Sequence, residues 1–528
     1  MVLSRRGARL ADTLAGMDRT RTWSRRQFLE RSTLAAAALP LAGCVARPLP
    51  VRSPNASAIP DSLDALVVND IHSQLNETRV DAIVRPADLA ALCAAIEAAR
   101  VAGTSVSVAG GRHAMGGQQF GDATVLVDTR ALARPIALDA DRGLLTVEGG
   151  IQWPALLDYL ARAQQERDRP WGIYQKQTGA DRLSIGGALA CNAHGRGLAL
   201  GPLVQQVEGF ELVGPDARPR WCSRTERPDL FGLVIGGYGL FGVVSKVQLR
   251  LRPRVKVRRV VELGETDGII EQFEARIRTG YLYGDYQFAT DETRDSFLAR
   301  GVFSCYEPVP DETPLTEEPT RFHPEDWARL TFYSHRYKRR AFEVYSSRYL
   351  QTSGQVYWHD WQLSAAYVDN YHADLDRALG ALVKATEMIT ELYVPRTAFV
   401  PFMKDAAAAL RRRRANLIYG TVRLIEKDDE TVLAWARDRY ACIIFNLHIE
   451  HTAAATGAAA DTFRDLIDVA ISHGGSYYLT YHRWAREDQV EACHPRMREF
   501  LALKQQHDPG EVFQSTWYRH YREMFRAS

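Results

Sequence analysis

From Arg79 onward, short apolar runs alternate with amphipathic ones. The run from Asp81 to Arg85 predicts a short strand stopped by Pro86. Asp88 to Ala102 is alanine-rich with helical spacing, and Gly103 stands where a helix would turn off. Ser105 to Ala109, Val125 to Asp128 and Leu144 to Glu148 predict strands, and Trp153 to Arg162 predicts a helix with Pro154 in its first turn. Val207 to Val213, Ile418 to Ile425 and Ile443 to Ile449 predict further strands. Asp405 to Leu410 predicts a helix that runs into Arg411–Arg414, where basic residues suit the helix C-terminus. The pattern is α+β with short strands, not the long βαβ period of a Rossmann sheet.

Composition narrows the class. The chain has 528 residues, enough for two domains, with 46% hydrophobic and 25% charged residues, as in an ordinary globular protein. A net charge of +2 gives no bulk attraction to nucleic acid or to a membrane surface. The seven cysteines form no Cys-x-x-Cys pair and no zinc spacing, so neither a metal site nor a dense disulfide framework is expected.

The N-terminus reads as an address. Ser24-Arg25-Arg26-Gln27-Phe28-Leu29 matches a twin-arginine export signal, and the apolar stretch from Leu34 to Gly43 is too short to span a bilayer. Leu41-Ala42-Gly43-Cys44 then looks like a lipobox, with Cys44 the lipidated residue. Met17 is an alternative start. The expected organisation is a signal over 1–43 and a proline-rich tether over 44–62. The expected location is the periplasm or cell surface, with the membrane reached only through a lipid anchor. Twin-arginine export carries folded proteins, which suits a cofactor loaded before export.

Three glycine-rich segments carry the chemistry. Ala109-Gly110-Gly111-Arg112-His113-Ala114-Met115-Gly116-Gly117 follows a predicted strand directly. Glycines let backbone approach a bound group, and consecutive amides can point at a pyrophosphate. Gln177 to Gly197 contains Thr178, Gly179, Ser184, Gly186, Gly187, Asn192, Ala193, His194 and Gly195, small enough for backbone to lie along a ligand. Gly236-Gly237-Tyr238-Gly239-Leu240-Phe241-Gly242-Val243 leads into an apolar strand. No acidic residue sits at the ribose distance of a dinucleotide fold.

Together these segments resemble the FAD-binding domain of the vanillyl-alcohol oxidase (p-cresol methylhydroxylase) family, nearest its alditol and sugar-lactone oxidase branch. The resemblance covers roughly residues 70 to 253. It implies a two-domain α+β flavoprotein: an FAD-binding domain over 63–253, a substrate (cap) domain over 254–480, and a C-terminal segment over 481–528 that returns to the first. It implies FAD held by the loops around Gly110–Met115, Thr178–Gly195 and Val243. It also implies a covalent bond from His113, with tight non-covalent FAD as the alternative. Gly111 and Arg112 stand in inverted order relative to the family, and Ala114 replaces its serine. Ala180 stands where some members carry a second flavin-linked cysteine, so one bond at most is expected.

The resemblance further implies oxidation of a CH–OH group, with hydride passed to flavin N5 and electrons to oxygen or a quinone-type acceptor. His448 is the first candidate for the proton acceptor and His482 the second, with Arg423 orienting the substrate oxygens. Glu391, Arg396 and Arg486 are candidate substrate residues. The rivals are a berberine-bridge-like or epimerase-type flavoenzyme on a larger substrate, and a surface-anchored binding lipoprotein that keeps the fold.

Overall fold

The computed structural model describes residues 66–363 and 371–526; the leader, the tether and Cys44 lie outside them. Three parallel strands, Ala82–Val84, Val125–Asp128 and Val106–Ala109, form a small sheet in that order. The helix Leu89–Ala102 connects the first to the last. The Asp88 side chain caps it by accepting from the Ala91 amide, and Gly103 ends it at φ 70°. Leu92, Ile96 and Ala99 of this helix share an apolar core with Val106, Val127 and Phe513.

Phe513 brings the C-terminal tail back to this sheet. The Val106 amide donates to the Val512 carbonyl at 2.6 Å and the Gln514 amide to the Val106 carbonyl at 2.9 Å. Buried Asp508 fixes the turn before it, accepting from the Val512 and Phe513 amides and from Lys504 Nζ.

A second sheet has five antiparallel strands in the order Pro219–Ser223, Val207–Val213, Val243–Arg250, Leu144–Glu148 and Pro135–Asp139. The third sheet begins just beyond, at Lys256. Its eight strands run Val356–Trp358, Lys256–Glu265, Arg300–Val309, Tyr283–Phe288, Leu417–Ile425, Tyr440–Glu450, Ala385–Pro395 and Ser476–Tyr477, all antiparallel. The molecule is therefore α+β, with one sheet system on each side of residues 250–256.

The strand Ala385–Pro395 shows how the large sheet is used. Successive side chains of a strand point to opposite faces. Thr390 meets His482, which lies against Phe463 of the helix Ala453–Ser472. Glu391 meets His194 of the glycine-rich half. One face meets the helix Ala453–Ser472, and the other meets the first domain at His194. The basic run ends the helix Phe399–Arg413, with Arg414 left-handed at φ 51°. Arg413 pairs with Asp465, and Arg411 donates to the Glu292 and Arg294 carbonyls. That run is a clamp between elements.

Two histidines behind the large sheet set an acid limit on stability. Burial, with Arg464 adding to it, holds His482 down to about 3, and burial with Arg437 does the same for His494. Both are neutral in the folded chain, while an unfolded histidine takes a proton near pH 6.5. The unfolded state therefore binds more protons below that pH. The stabilisation is complete above 6.5 and is lost as pH falls toward 3. The melting temperature should drop steeply between pH 6.5 and 4, and His494→Leu should flatten that limb. A variant with the wild-type slope would show that His494 does not contribute.

Candidate functional site

The loop after the strand Val106–Ala109 is held by contact with a second loop. A Cβ on Gly110 would stand 2.0 Å from Ser184 Oγ, and one on Gly111 would stand 2.2 Å from the Arg182 carbonyl oxygen. Ser184 in turn caps the helix Ile185–Ala190, accepting from the Gly187 amide at 3.2 Å. The Gly186 amide donates to the Gly149 carbonyl at 2.7 Å, and the Ile185 amide to the Ile151 carbonyl at 2.9 Å. Gly149 and Gly150 are needed for a different approach, since a Cβ on Gly149 would lie 2.2 Å from the Val244 carbonyl oxygen. A Cβ on Gly150 would lie 1.9 Å from the Thr129 carbonyl oxygen.

The amides of Gly111, Arg112 and Ala114 donate to no group among the described residues. Arg112 is left-handed at φ 59°, and its buried Nε and Nη2 have no hydrogen bond, although Nη2 lies 3.5 Å from Asp128. Unclaimed amides in a tight turn beside a buried guanidinium make an anion cradle. Met115 is buried at its end, tied by its amide to the Thr480 carbonyl and by its carbonyl to Asn76. His113 is buried with Nδ1 2.8 Å from Nε2 of His72. Burial, then the His72 ring, holds His113 well below the ordinary histidine range, so its imidazole is neutral. This donor set suits a pyrophosphate-bearing cofactor.

The second loop ends at a corner that faces the large sheet. Buried Asn192 is left-handed at φ 48°, donates to Asp428 at 2.9 Å and accepts from the Val204 amide at 2.9 Å. Its side chain thus positions the corner and faces no ligand. Ala193 is buried, and the Gly195 amide donates to Gln175 Oε1. Gly179 has φ 80° and open space on its Cβ side. Val243 lies in the small apolar core with Val106 and Phe513, so only its backbone is available to a ligand.

His194 Nε2 lies 2.6 Å from Glu391 Oε1, and its Nδ1 lies 3.2 Å from the Gly195 carbonyl. The Gly195 carbonyl and the Glu391 carboxylate thus hold the ring from both of its nitrogens. Glu391 Oε2 is buried without a hydrogen bond. Arg423, on the strand Leu417–Ile425, donates to Thr178 Oγ1, and its Nε is unclaimed. Cys442, the cross-strand partner of Arg423, sits beside His194 and Glu391. Burial, then Glu391, pushes the Cys442 thiol and the Tyr481 phenol well above their ordinary values, so both stay protonated. The result is a buried polar cluster of carboxylate, imidazole and guanidinium between sheet and loop.

Other expected residues are not brought to this cluster. His482 lies on the opposite face of the sheet, stacked on Tyr477 and 3.2 Å from Thr390, because Thr390 and Glu391 alternate. Arg396 has both guanidinium ends occupied by Glu274 and Glu426, which makes it a structural clamp. Arg486 starts the short helix Glu487–Cys493 and pairs with Asp468 and Asp488 near solvent. His448 shares the face of Glu391 but pairs with Glu387, about 13 Å along the strand. The pattern also passed over Gly149 and Gly150, although a glycine pair straight after a strand is the signal that marked Gly110. His72, Trp435 and Cys442 carry no local signal; their roles come from packing against His113 and His194.

Residues 80–223 match the family described as "FAD binding domain". Among curated proteins, cytokinin dehydrogenase 2 of Oryza sativa subsp. japonica is 32% identical over 179 residues, 32% of this chain and 30% of that protein. The mitochondrial L-galactono-1,4-lactone dehydrogenase 1 of the same organism is 29% identical over 226 residues, 41% of this chain and 37% of that protein. Cytokinin dehydrogenase 1, also from that organism, is 27% identical over 241 residues, 44% of this chain and 43% of that protein. Each match thus spans less than half of the relative.

Proposed function

We propose, from the premise that residues 80–223 form a p-cresol methylhydroxylase-type FAD-binding domain, that the chain is an oxidoreductase acting on a CH–OH group. A sugar, polyol or lactone is the substrate class, and the similarity to L-galactono-1,4-lactone dehydrogenases supports it. The observation that carries the reading is the buried Glu391–His194 pair with Glu391 Oε2 unclaimed and Arg423 two strands away, across Tyr440–Glu450, in the same sheet.

Bound FAD would supply the hydride acceptor for the substrate carbon and the route for electrons to oxygen or a quinone-type acceptor. The amides of Gly111, Arg112 and Ala114 would hold its pyrophosphate, with Arg112 adding positive charge. Glu391 Oε2 would accept the hydroxyl proton, and His194 would hold that carboxylate in place through Oε1. Arg423 Nε would donate to the substrate oxygen, leaving the bond to Thr178 intact. This assignment moves the acceptor role from His448 and His482 to Glu391, because Glu391 meets His194 of the second loop and keeps a buried oxygen without a hydrogen bond.

The test is anaerobic mixing of the purified flavoprotein with polyols, aldoses, sugar lactones and aromatic alcohols. A member of the first three classes should bleach the flavin. Bleaching by aromatic alcohols alone, or by none of them, would overturn the substrate class. We also propose that His113 is the attachment point of a covalent flavin, since it stands in the glycine loop and burial holds its imidazole neutral. Acid precipitation should leave a yellow pellet, and His113→Ala should release the flavin to the supernatant. A colourless wild-type pellet would rule the bond out. Export through the twin-arginine route and anchoring at Cys44 belong to the same proposal; Cys44→Ser should leave the membrane fraction, and unchanged fractionation would sink the anchor.

A further inference from the structure

A second cluster on the large sheet lies outside the assigned chemistry. Glu387 and His448 are cross-strand partners on Ala385–Pro395 and Tyr440–Glu450. His335, in the last turn of the helix Pro324–Arg336, reaches down onto them. Its ring meets that of His448 edge-on, with centroids 4.8 Å apart. His335 Nε2 lies 3.1 Å from Glu387 Oε1, and one ligand atom from each of the three residues falls within 4.8 Å of the others.

The decisive feature is that all three of these polar side chains have an atom left over. His335 Nε2, Glu387 Oε1 and His448 Nδ1 are buried and lack a hydrogen-bond partner. The side chains of His335 and Glu387 are 2% and 7% exposed. Buried polar atoms without partners are rare, because each forfeits its hydration. Three converging on one point have a common explanation. The other ring nitrogen of His335, Nδ1, lies 2.8 Å from the Thr331 carbonyl. That contact requires Nδ1–H and leaves the lone pair on Nε2, aimed at the cluster. A histidine oriented in this way by a backbone carbonyl is arranged as a metal ligand.

We propose that His335, Glu387 and His448 bind a first-row divalent metal ion, for which zinc is the best match. Two imidazoles and one carboxylate are a donor set that zinc takes with a fourth position open. Ligand atoms around a tetrahedral zinc stand roughly 3.4 Å apart, given bonds of about 2.0–2.2 Å. Separations within 4.8 Å need only a small closure of side chains to reach that geometry. His335 also borders a cavity of about 500 Å³, together with Glu292, Lys338 and Asn416. The open position takes an oxygen ligand from that side: water, or a hydroxyl or carbonyl group. His194, Glu391 and Cys442 also cluster, but there Nε2 and Oε1 already share a hydrogen bond and the thiol is held protonated. The site is independent of the oxidoreductase reading.

Because the ligands come from a helix and two strands, the ion would fasten the helix Pro324–Arg336 to the sheet, and binding would add to stability. The experiment uses the full flavin-loaded chain, stripped with a chelator and dialysed against zinc or cobalt(II). Expected are one zinc per chain, a raised melting temperature, and cobalt bands at wavelengths longer than the oxidised flavin absorbs. His335→Ala and Glu387→Gln should each weaken zinc binding by about 100-fold or more, with flavin content unchanged as the check on folding. X-ray absorption of the wild-type zinc form should show two imidazoles and oxygen donors without sulfur. This readout serves equally if a variant fails to fold. Less than stoichiometric zinc, a sulfur ligand, or undiminished binding in folded variants would overturn the proposal.

Discussion

Glu391→Gln should slow reduction of the bound flavin by substrate about 10²–10⁴-fold, the range that a positioned general base contributes. The substitution is close to isosteric and keeps an oxygen near His194 Nε2, 2.6 Å away in the wild type. What it removes is the capacity of the side chain to take a proton. FAD content should stay at the wild-type level, since Glu391 lies on the large sheet, outside residues 80–223 that match the FAD binding domain. The loss should appear in kcat and in the limiting rate of flavin bleaching, with KM moving little. Arg423→Lys should behave differently. It keeps the charge but loses the planar fork that reaches Thr178 and the substrate side together. Raised KM with a smaller loss of kcat is expected. Stopped-flow bleaching separates the two, and a Glu391→Gln enzyme with wild-type bleaching rates would remove Glu391 from the mechanism.

The second large effect is on cofactor loading. Gly111→Ala should yield protein that is largely free of FAD and melts well below the wild type. The added methyl would lie 2.2 Å from the Arg182 carbonyl oxygen, a backbone atom that cannot swing aside. Relief therefore requires the loops around Gly111 and Ser184 to separate, and overpacking of that kind costs about 1–3 kcal/mol or more. Separation would also carry the Gly111, Arg112 and Ala114 amides away from the pyrophosphate they would hold. Gly457→Ala is the control. That glycine lies inside the helix Ala453–Ser472 with nothing within 4 Å of the added carbon, so it should retain FAD and gain up to about 1 kcal/mol. The readouts are flavin absorbance per chain and the melting temperature. Full loading of Gly111→Ala would show that the loops are not held as described.

The glycine loops and the elements beside them were legible because their causes are local. Val207–Val213 and Val125–Asp128 follow from runs of apolar and β-branched residues, and Leu89–Ala102 from its spacing between an aspartate cap and a glycine stop. The turn at Gly110–Gly111 needs residues without side chains, and that need is written at those positions. Fold class and FAD could therefore be read from order and motif.

The pairings in the cap could not. Strands Tyr283–Phe288 and Leu417–Ile425 are neighbours in the sheet although 128 residues, by number, lie between them. Nothing local in either names the other. His482 reads in sequence as a second candidate proton acceptor beside Arg423, yet strand alternation puts Thr390 and its histidine partner behind the sheet. Arg396 looked equally available until Glu274 and Glu426 closed on it. The sequence determined which segments are strands, helices and glycine-rich loops, because sterics and hydrophobic period act between chain neighbours. Only the tertiary structure decided that His194 meets Glu391 and that His335 meets Glu387 and His448, because register and packing choose partners far apart along the chain.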